Sequence, residues 1–252
     1  MSTLAIVQAR MTSTRFPGKV LAPLAGKPMV LRQLERIQRA RTLDAIVVAT
    51  SSDPSDDELS AVIERAGVPV VRGSLDDVLA RFIAAIDVFE PDTVVRLTAD
   101  CPLTSAAVID LVVEAFRASG ADYASNTMTP TYPDGLDVEV VKASVLRKVA
   151  AVASDPAERE HVTLGVYRRH DQYRIENVAA ELDLSSLRWT VDTPDDYAFV
   201  RGVYDDLFPA KEDFDLDDVL AYLERHPERR RTEADAARNA ALDGLDTGAM
   251  NA

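Results

Sequence analysis

The chain is poor in residues that staple, anchor or address a protein elsewhere. A single cysteine, Cys101, leaves no partner for an intrachain disulfide. That suits a reducing compartment. No apolar run reaches the roughly 20 residues a membrane helix needs. The opening MSTLAIVQAR lacks the long apolar stretch of a secretory leader. A cytoplasmic location is expected on these grounds. Positive charge is scarce too: 28 Lys and Arg stand against 42 Asp and Glu, a net charge of −14. Such a surface repels nucleic acid and anionic membranes, so neither is expected as a partner. Only three histidines occur, and no Cys/His spacing suits a zinc site. There is no GxGxxG. Gly18-Lys19 is followed by Val20 and Gly26-Lys27 by Pro28, so no Walker A loop exists either.

What is present is a regular first half. With 252 residues, 47% of them hydrophobic, the chain can bury a full core. Leu4–Val7, Ala45–Ala49, Val68–Val71 and Thr93–Leu97 read as strands. Met29–Ala40, Asp56–Ala66, Asp76–Phe89 and Ala106–Ala118 carry helical periodicity. Continuous apolar strands alternating with helices predict an α/β fold, a mainly parallel sheet with helices on both faces. The second half is less regular. Strands are expected at Asp122–Ser125, Asp137–Val141, Tyr173–Val178 and Leu187–Val191, with a helix from Pro156 to Arg169. Pro194, with Thr193 as N-cap, opens a helix to about Leu207, and Leu216–Arg225 forms the last one. No repeat or linker divides the chain, so one domain is expected over 1–225. A frayed, charged tail is expected over 226–252.

In a parallel sheet, ligands bind outside the carboxyl ends of the strands. Three loops there carry chemistry. The first, QARMTSTRFPGK, gathers Arg10, Arg15 and Lys19 among Thr12, Ser13, Thr14 and Gly18. A glycine-containing loop of this kind can cradle phosphate oxygens, with Arg and Lys to neutralise them. A solvated basic loop fits the spacing equally well. The second, TADCPL, places Asp100 at the end of the fourth strand. A carboxylate facing a phosphate loop suits Mg²⁺; capping of the next helix falls better to Thr104 or Ser105. The third, VDTPDDY, ends a strand with Asp192. Taken alone, Asp192 and Thr193 read as helix caps.

The motifs QARMTSTRFPGK, TADCPL and VDTPDDY together resemble the cytidylyltransferases that make CMP-activated acidic sugars. The likeness is to the spore-coat polysaccharide SpsF family, related to CMP-Kdo and CMP-N-acylneuraminate synthetases. It takes in RGSLDDVLAR at 72–81, YPDGLDVE at 132–139 and EREHVT at 158–163, in order, over roughly 4–208. The resemblance implies a nucleotide-diphospho-sugar transferase-like, Rossmann-like fold, with a small irregular acceptor and dimerisation subregion at about 120–180. It implies CTP on the first loop, bordered by Ala9, Arg10, Ser13 and Arg15, with Arg10 and Lys19 on the phosphates. Arg72, Ser74 and Thr98 would border the cytidine, and Asp100 and Asp192 would hold Mg²⁺. Thr98 replaces a glutamine of the CMP-Kdo synthetases, so the base is read with one hydroxyl rather than an amide. Asp134, Asp137, Glu139, Glu160 and His161 would form the acceptor side. A homodimer is expected.

The reaction so implied is attack of an acceptor oxygen on the α-phosphorus, releasing pyrophosphate. A glycosyltransferase on a similar sheet is the first alternative, although Asp100-Cys101-Pro102 lacks the Asp-x-Asp such enzymes carry. A phosphonate or sugar-phosphate nucleotidyltransferase is the second, and a nucleotide-binding protein without activity the third.

Overall fold

A computed structural model describes residues 1–232. The chain opens with β1 (Thr3–Gln8), a small hairpin of β2 (Pro23–Leu24) and β3 (Lys27–Pro28), and α1 (Met29–Ile37). Three β-α units follow: β4 (Ala45–Ser51) with α2 (Asp57–Arg65), β5 (Val70–Gly73) with α3 (Val78–Phe89), and β6 (Thr93–Thr98) with α4 (Ala106–Ser119). The second half supplies β7 (Tyr123–Ser125), β8 (Glu139–Lys142), α5 (Ala143–Val152), α6 (Pro156–Glu160) and α7 (Leu164–Tyr167). It ends with β9 (Ile175–Asn177), α8 (Pro194–Leu207) and α9 (Leu216–Arg225).

These build one seven-stranded sheet in the order β5-β4-β1-β6-β8-β7-β9. Pairing is parallel from β5 to β6, antiparallel on both sides of β8, and parallel again between β7 and β9. Strand alternation divides the core in two. Ala5, Val7, Val48, Val95, Leu97 and Val140 face α1, α4, α8 and α9. Leu4, Ile6, Val47, Val94 and Val141 face α3 and α5. Both faces are covered, as the continuous apolar strands required. No helix among the described residues is long and apolar enough to cross a membrane.

Caps fix where the helices begin. Ser105 Oγ accepts the Val108 N–H at 3.2 Å to start α4. Thr193 and Asp196 form a reciprocal capping box behind Pro194 at the start of α8. Three expected elements differ. The helix expected over Pro156–Arg169 breaks after Glu160, where Val162 takes a left-handed φ of +33°. The buried Thr163 hydroxyl there donates to Glu139 at 2.6 Å. The strand expected at Leu187–Val191 forms only isolated bridges, Asp134 to Arg188 and Leu187 to Thr232. Its backbone bonds go to loops: Trp189 N–H to Asp134 O at 2.6 Å and Arg188 N–H to Arg231 O at 2.9 Å. The strand expected at Asp137–Val141 is β8, which begins at Glu139. Residues 226–232, assigned to a tail, pack back on the body through Arg231 and Thr232. The rest of that tail lies outside the described residues.

Candidate active site

The carboxyl ends of β1, β4, β5 and β6 share one edge of the sheet, because all four run parallel. The chain leaves β1 there and turns through residues 9–18 before entering a short turn at Lys19–Leu21. Gly18 makes the turn possible at φ +73°, and its N–H closes the loop on Met11 O at 3.0 Å. The base of the loop is anchored by Asp56, fully buried, which accepts the Met11 N–H at 2.7 Å and the Ser51 N–H at 3.1 Å. The loop is thus tied to the end of β4.

Lys19 leaves this loop inward. Its ammonium donates to Val191 O at 2.6 Å, Asp192 Oδ1 at 3.0 Å and Asp100 Oδ2 at 3.3 Å. Burial alone would depress its pKa, but Asp100 and Asp192 outweigh that and hold it above the ordinary lysine value. Burial would likewise raise the Asp100 carboxyl; Lys19 and the Thr98 hydroxyl hold it below the usual carboxylate range. The site therefore brings one ammonium between two carboxylates. Asp192 is further held by Arg15 at 3.1 Å and by the buried Arg188 at 2.7 Å. Arg188 also grips Asp134 at 2.7 Å and Asp196 at 3.5 Å. Asp100 has only Lys19 as a cation partner within ion-pair reach among the described residues, and its side chain keeps 30% exposure.

A cavity of about 980 Å³ opens over this cluster. It brings together Ala9, Arg10, Ser13, Arg15, Lys19, Thr98, Asp100, Asp192, Glu160 and His161. The last two arrive through the broken helix at 160–163. Burial, against a weaker pull from Glu160, lowers the His161 pKa, so its imidazole is neutral at pH 7.

Five expected site residues do not line this cavity. Arg72 turns its guanidinium onto Asp57 at 2.7 Å and onto the carbonyls of Ser51 and Asp53. Ser74 Oγ accepts the Asp77 N–H at the entrance to α3. Asp134 is buried on Arg188. Asp137 does not line the cavity. Glu139 points into the protein, where Arg96, Tyr123, Tyr167 and Thr163 all bond it. Burial opposes its ionisation, and Arg96 with the three hydroxyls overcomes this. Glu139 therefore turns away from this cavity.

The cavity also contains Gln8 and Arg81, which lie within the quoted motifs but carry no assigned role there, and Ser55, which lies in none of them. Arg81 carried a legible signal. It stands three residues after Val78 and four before Ala85, a cation on the apolar face of an amphipathic helix.

The chain resembles known proteins. A family model described as "Cytidylyltransferase" matches residues 4–206. The spore coat polysaccharide biosynthesis protein SpsF of Bacillus subtilis is 32% identical over 232 residues, covering 89% of this chain and 95% of that one. A 3-deoxy-manno-octulosonate cytidylyltransferase of Hydrogenovibrio crunogenus is 30% identical over 182 residues, 69% of this chain and 72% of its own. The solved structure of a cytidylyltransferase from Leptospira borgpetersenii superposes with a TM-score of 0.86 at 29% identity. It covers 91% of this chain and 96% of that one. The matched span takes in both the loop of Lys19 and the carboxylates it bridges, so the chain belongs to the cytidylyltransferase family.

Proposed function

We propose that this enzyme transfers CMP from CTP to an oxygen of a small acidic sugar or related acceptor, releasing pyrophosphate. One observation carries the reading. Lys19, Asp100 and Asp192 meet at the ligand edge of the sheet, under a cavity walled by the Arg10–Lys19 loop. The relatives' names add the substrate class: one acts as a 3-deoxy-manno-octulosonate cytidylyltransferase.

The chemistry asks for positioning and charge neutralisation rather than a covalent intermediate. The hydroxyls of Thr12, Ser13 and Thr14 line the cavity and would donate to phosphate oxygens. Arg10 would meet the same phosphates from the cavity wall. Lys19, pinned on two carboxylates, would hold its ammonium toward the α-phosphate and stabilise charge as pyrophosphate departs. Arg188 and Arg15 fix Asp192 from two sides, so its carboxylate does not wander. His161, neutral, can accept a proton from an acceptor hydroxyl at the other wall.

Among the described residues no three His, Cys, Asp or Glu side chains converge as a metal cage. Two carboxylates that converge on one cation, the Lys19 ammonium, do fit Mg²⁺, which takes one or two carboxylates and completes its shell with phosphate and water. Asp100 and Asp192 are the residues that would hold it. Bound there, it would neutralise the triphosphate and lower the pKa of an acceptor hydroxyl.

The test is a pyrophosphate-release screen of the four nucleoside triphosphates against acidic sugars, sugar phosphates and phosphonates, with and without Mg²⁺. The expected result is metal-dependent pyrophosphate with CTP and an acidic sugar, abolished in Asp100→Ala. Release of nucleoside diphosphate instead, or full turnover by Asp100→Ala, would overturn the reading.

A further inference from the structure

Four cations line the cavity, Arg10, Arg15, Lys19 and Arg81, against three carboxylates, Asp100, Glu160 and Asp192. Each carboxylate has a cation. Lys19 bridges Asp100 and Asp192, Arg15 adds to Asp192, and Arg10 approaches Glu160 at 3.9 Å. Arg81 is left over. No carboxylate lies within ion-pair distance of it among the described residues. It is nonetheless 2% exposed, and its Nε has no acceptor.

Burying a charged guanidinium with no carboxylate in ion-pair reach is costly, yet the fold takes trouble to hold this one still. Gly73, at the end of β5, has no Cβ; one built there would stand 3.0 Å from Arg81 Cγ. The stem of Arg81 occupies that space. One terminal nitrogen donates to the carbonyls of Ser74 at 3.1 Å and Leu75 at 3.4 Å. Burial and the nearby charge of Arg10 lower the Arg81 pKa, against the pull of Asp56 and Asp77 from beyond ion-pair distance. Arg10 and Arg81 both line the cavity, Arg81 with no carboxylate within ion-pair distance among the described residues and Arg10 with one at 3.9 Å. Lys19 and Arg15, by contrast, are already held on Asp100 and Asp192 at 3.0–3.3 Å. A triphosphate entering the cavity therefore finds its least engaged guanidinium groups at Arg10 and Arg81.

We propose that Arg81 is a phosphate-binding residue of this enzyme, forming with Arg10 an oxyanion subsite that engages the nucleotide's terminal phosphates. The proposal rests on the reading of the cavity as a CTP site. In use, the exposed Glu160 carboxylate gives up Arg10 to the incoming phosphate, and the unfilled Nε of Arg81 gains an acceptor.

Calorimetric titration of the full chain with CTP, inorganic pyrophosphate and cytidine decides it. Arg81→Met is expected to weaken CTP and pyrophosphate at least tenfold and to leave cytidine unchanged. Arg81→Lys, which keeps the charge, is expected to recover part of the loss. Equal weakening of cytidine would mark Arg81 as a structural support, and unchanged CTP binding would overturn the proposal outright. If Arg81→Met fails to fold, a crystal structure of the wild-type protein with CTP serves instead. A phosphate oxygen within hydrogen-bond distance of Arg81 supports the proposal, and its absence there refutes it. Wild-type protein that binds no nucleoside triphosphate would instead remove the underlying functional reading, an outcome separate from any effect at residue 81.

Discussion

Lys19 concentrates the energetics of the site in one atom. Its ammonium is shared by two carboxylates, and removing one partner of a buried ion pair typically costs about 3–5 kcal/mol. Asp192 would keep Arg15 and Arg188, and Asp100 retains some solvent contact. Lys19→Met is therefore expected to cost nearer 2 kcal/mol in urea unfolding, with turnover abolished. Asp100→Asn leaves Lys19 on Asp192, so its stability should stay within about 1 kcal/mol of wild type while activity collapses. The pH dependence follows from the directions of the shifts. Asp100 is held below its ordinary pKa, so its stabilisation is complete above about pH 4 and fades as pH falls through the lowered value. Lys19 is held above its ordinary value, so its stabilisation is complete below about pH 10 and fades as pH rises through the raised one. Thermal melting of wild type against Asp100→Asn should diverge between those limits and converge on the acid side. Parallel curves throughout would show that the Lys19–Asp100 contact is energetically idle.

At the scale of elements, loops decide more than helices. Gly18 turns the phosphate loop at a positive φ, where a Cβ meets only Met11 Cε at 3.6 Å. Gly18→Ala should thus cost the conformational penalty alone, about 1–2 kcal/mol. Gly135 is tighter: at φ +106° a Cβ would stand 2.7 Å from the Thr190 nitrogen and the Trp189 carbonyl carbon. Gly135→Ala must push that backbone, which leads directly to Asp192. A larger loss of activity than of stability is expected there, measurable as kcat against melting temperature. The parallel half of the sheet was legible in the sequence because β1, β4, β5 and β6 are apolar on both faces and separated by periodic helices. The loops after β1 and β6 were legible because that topology puts their ends on one edge. The 187–191 segment was not, since its hydrogen bonds run to Asp134 and Arg231, partners far away in the chain. Glu139 misled for a similar reason. Period-two alternation gives the side of a strand, but not whether that side holds solvent or Arg96.

For the molecule as a whole, the Arg96–Glu139 pair joins the parallel half of the sheet to its antiparallel continuation. Both groups are buried, and two tyrosines and a threonine also point at the carboxylate. Glu139→Ala should cost about 3–5 kcal/mol by leaving the guanidinium alone. Because Glu139 does not line the cavity, the folded fraction should keep a near-normal KM for the nucleotide. A KM raised tenfold at unchanged stability would instead return Glu139 to the ligand site. Arg188 does comparable work for the site itself, gripping Asp134, Asp192 and Asp196 beneath the 226–232 segment. This wiring has a consequence for synthesis. The lysine of the phosphate loop and the Asp192 that bonds it are 173 residues apart in the chain. At translation rates of about 5–20 residues per second, Lys19 spends roughly 10–35 s outside the peptidyl-transferase centre before that partner is made. A nascent chain stalled before Asp192 would have Lys19 and Asp100 but not the second carboxylate, so this buried ion-pair cluster is among the last parts of the newborn enzyme to close.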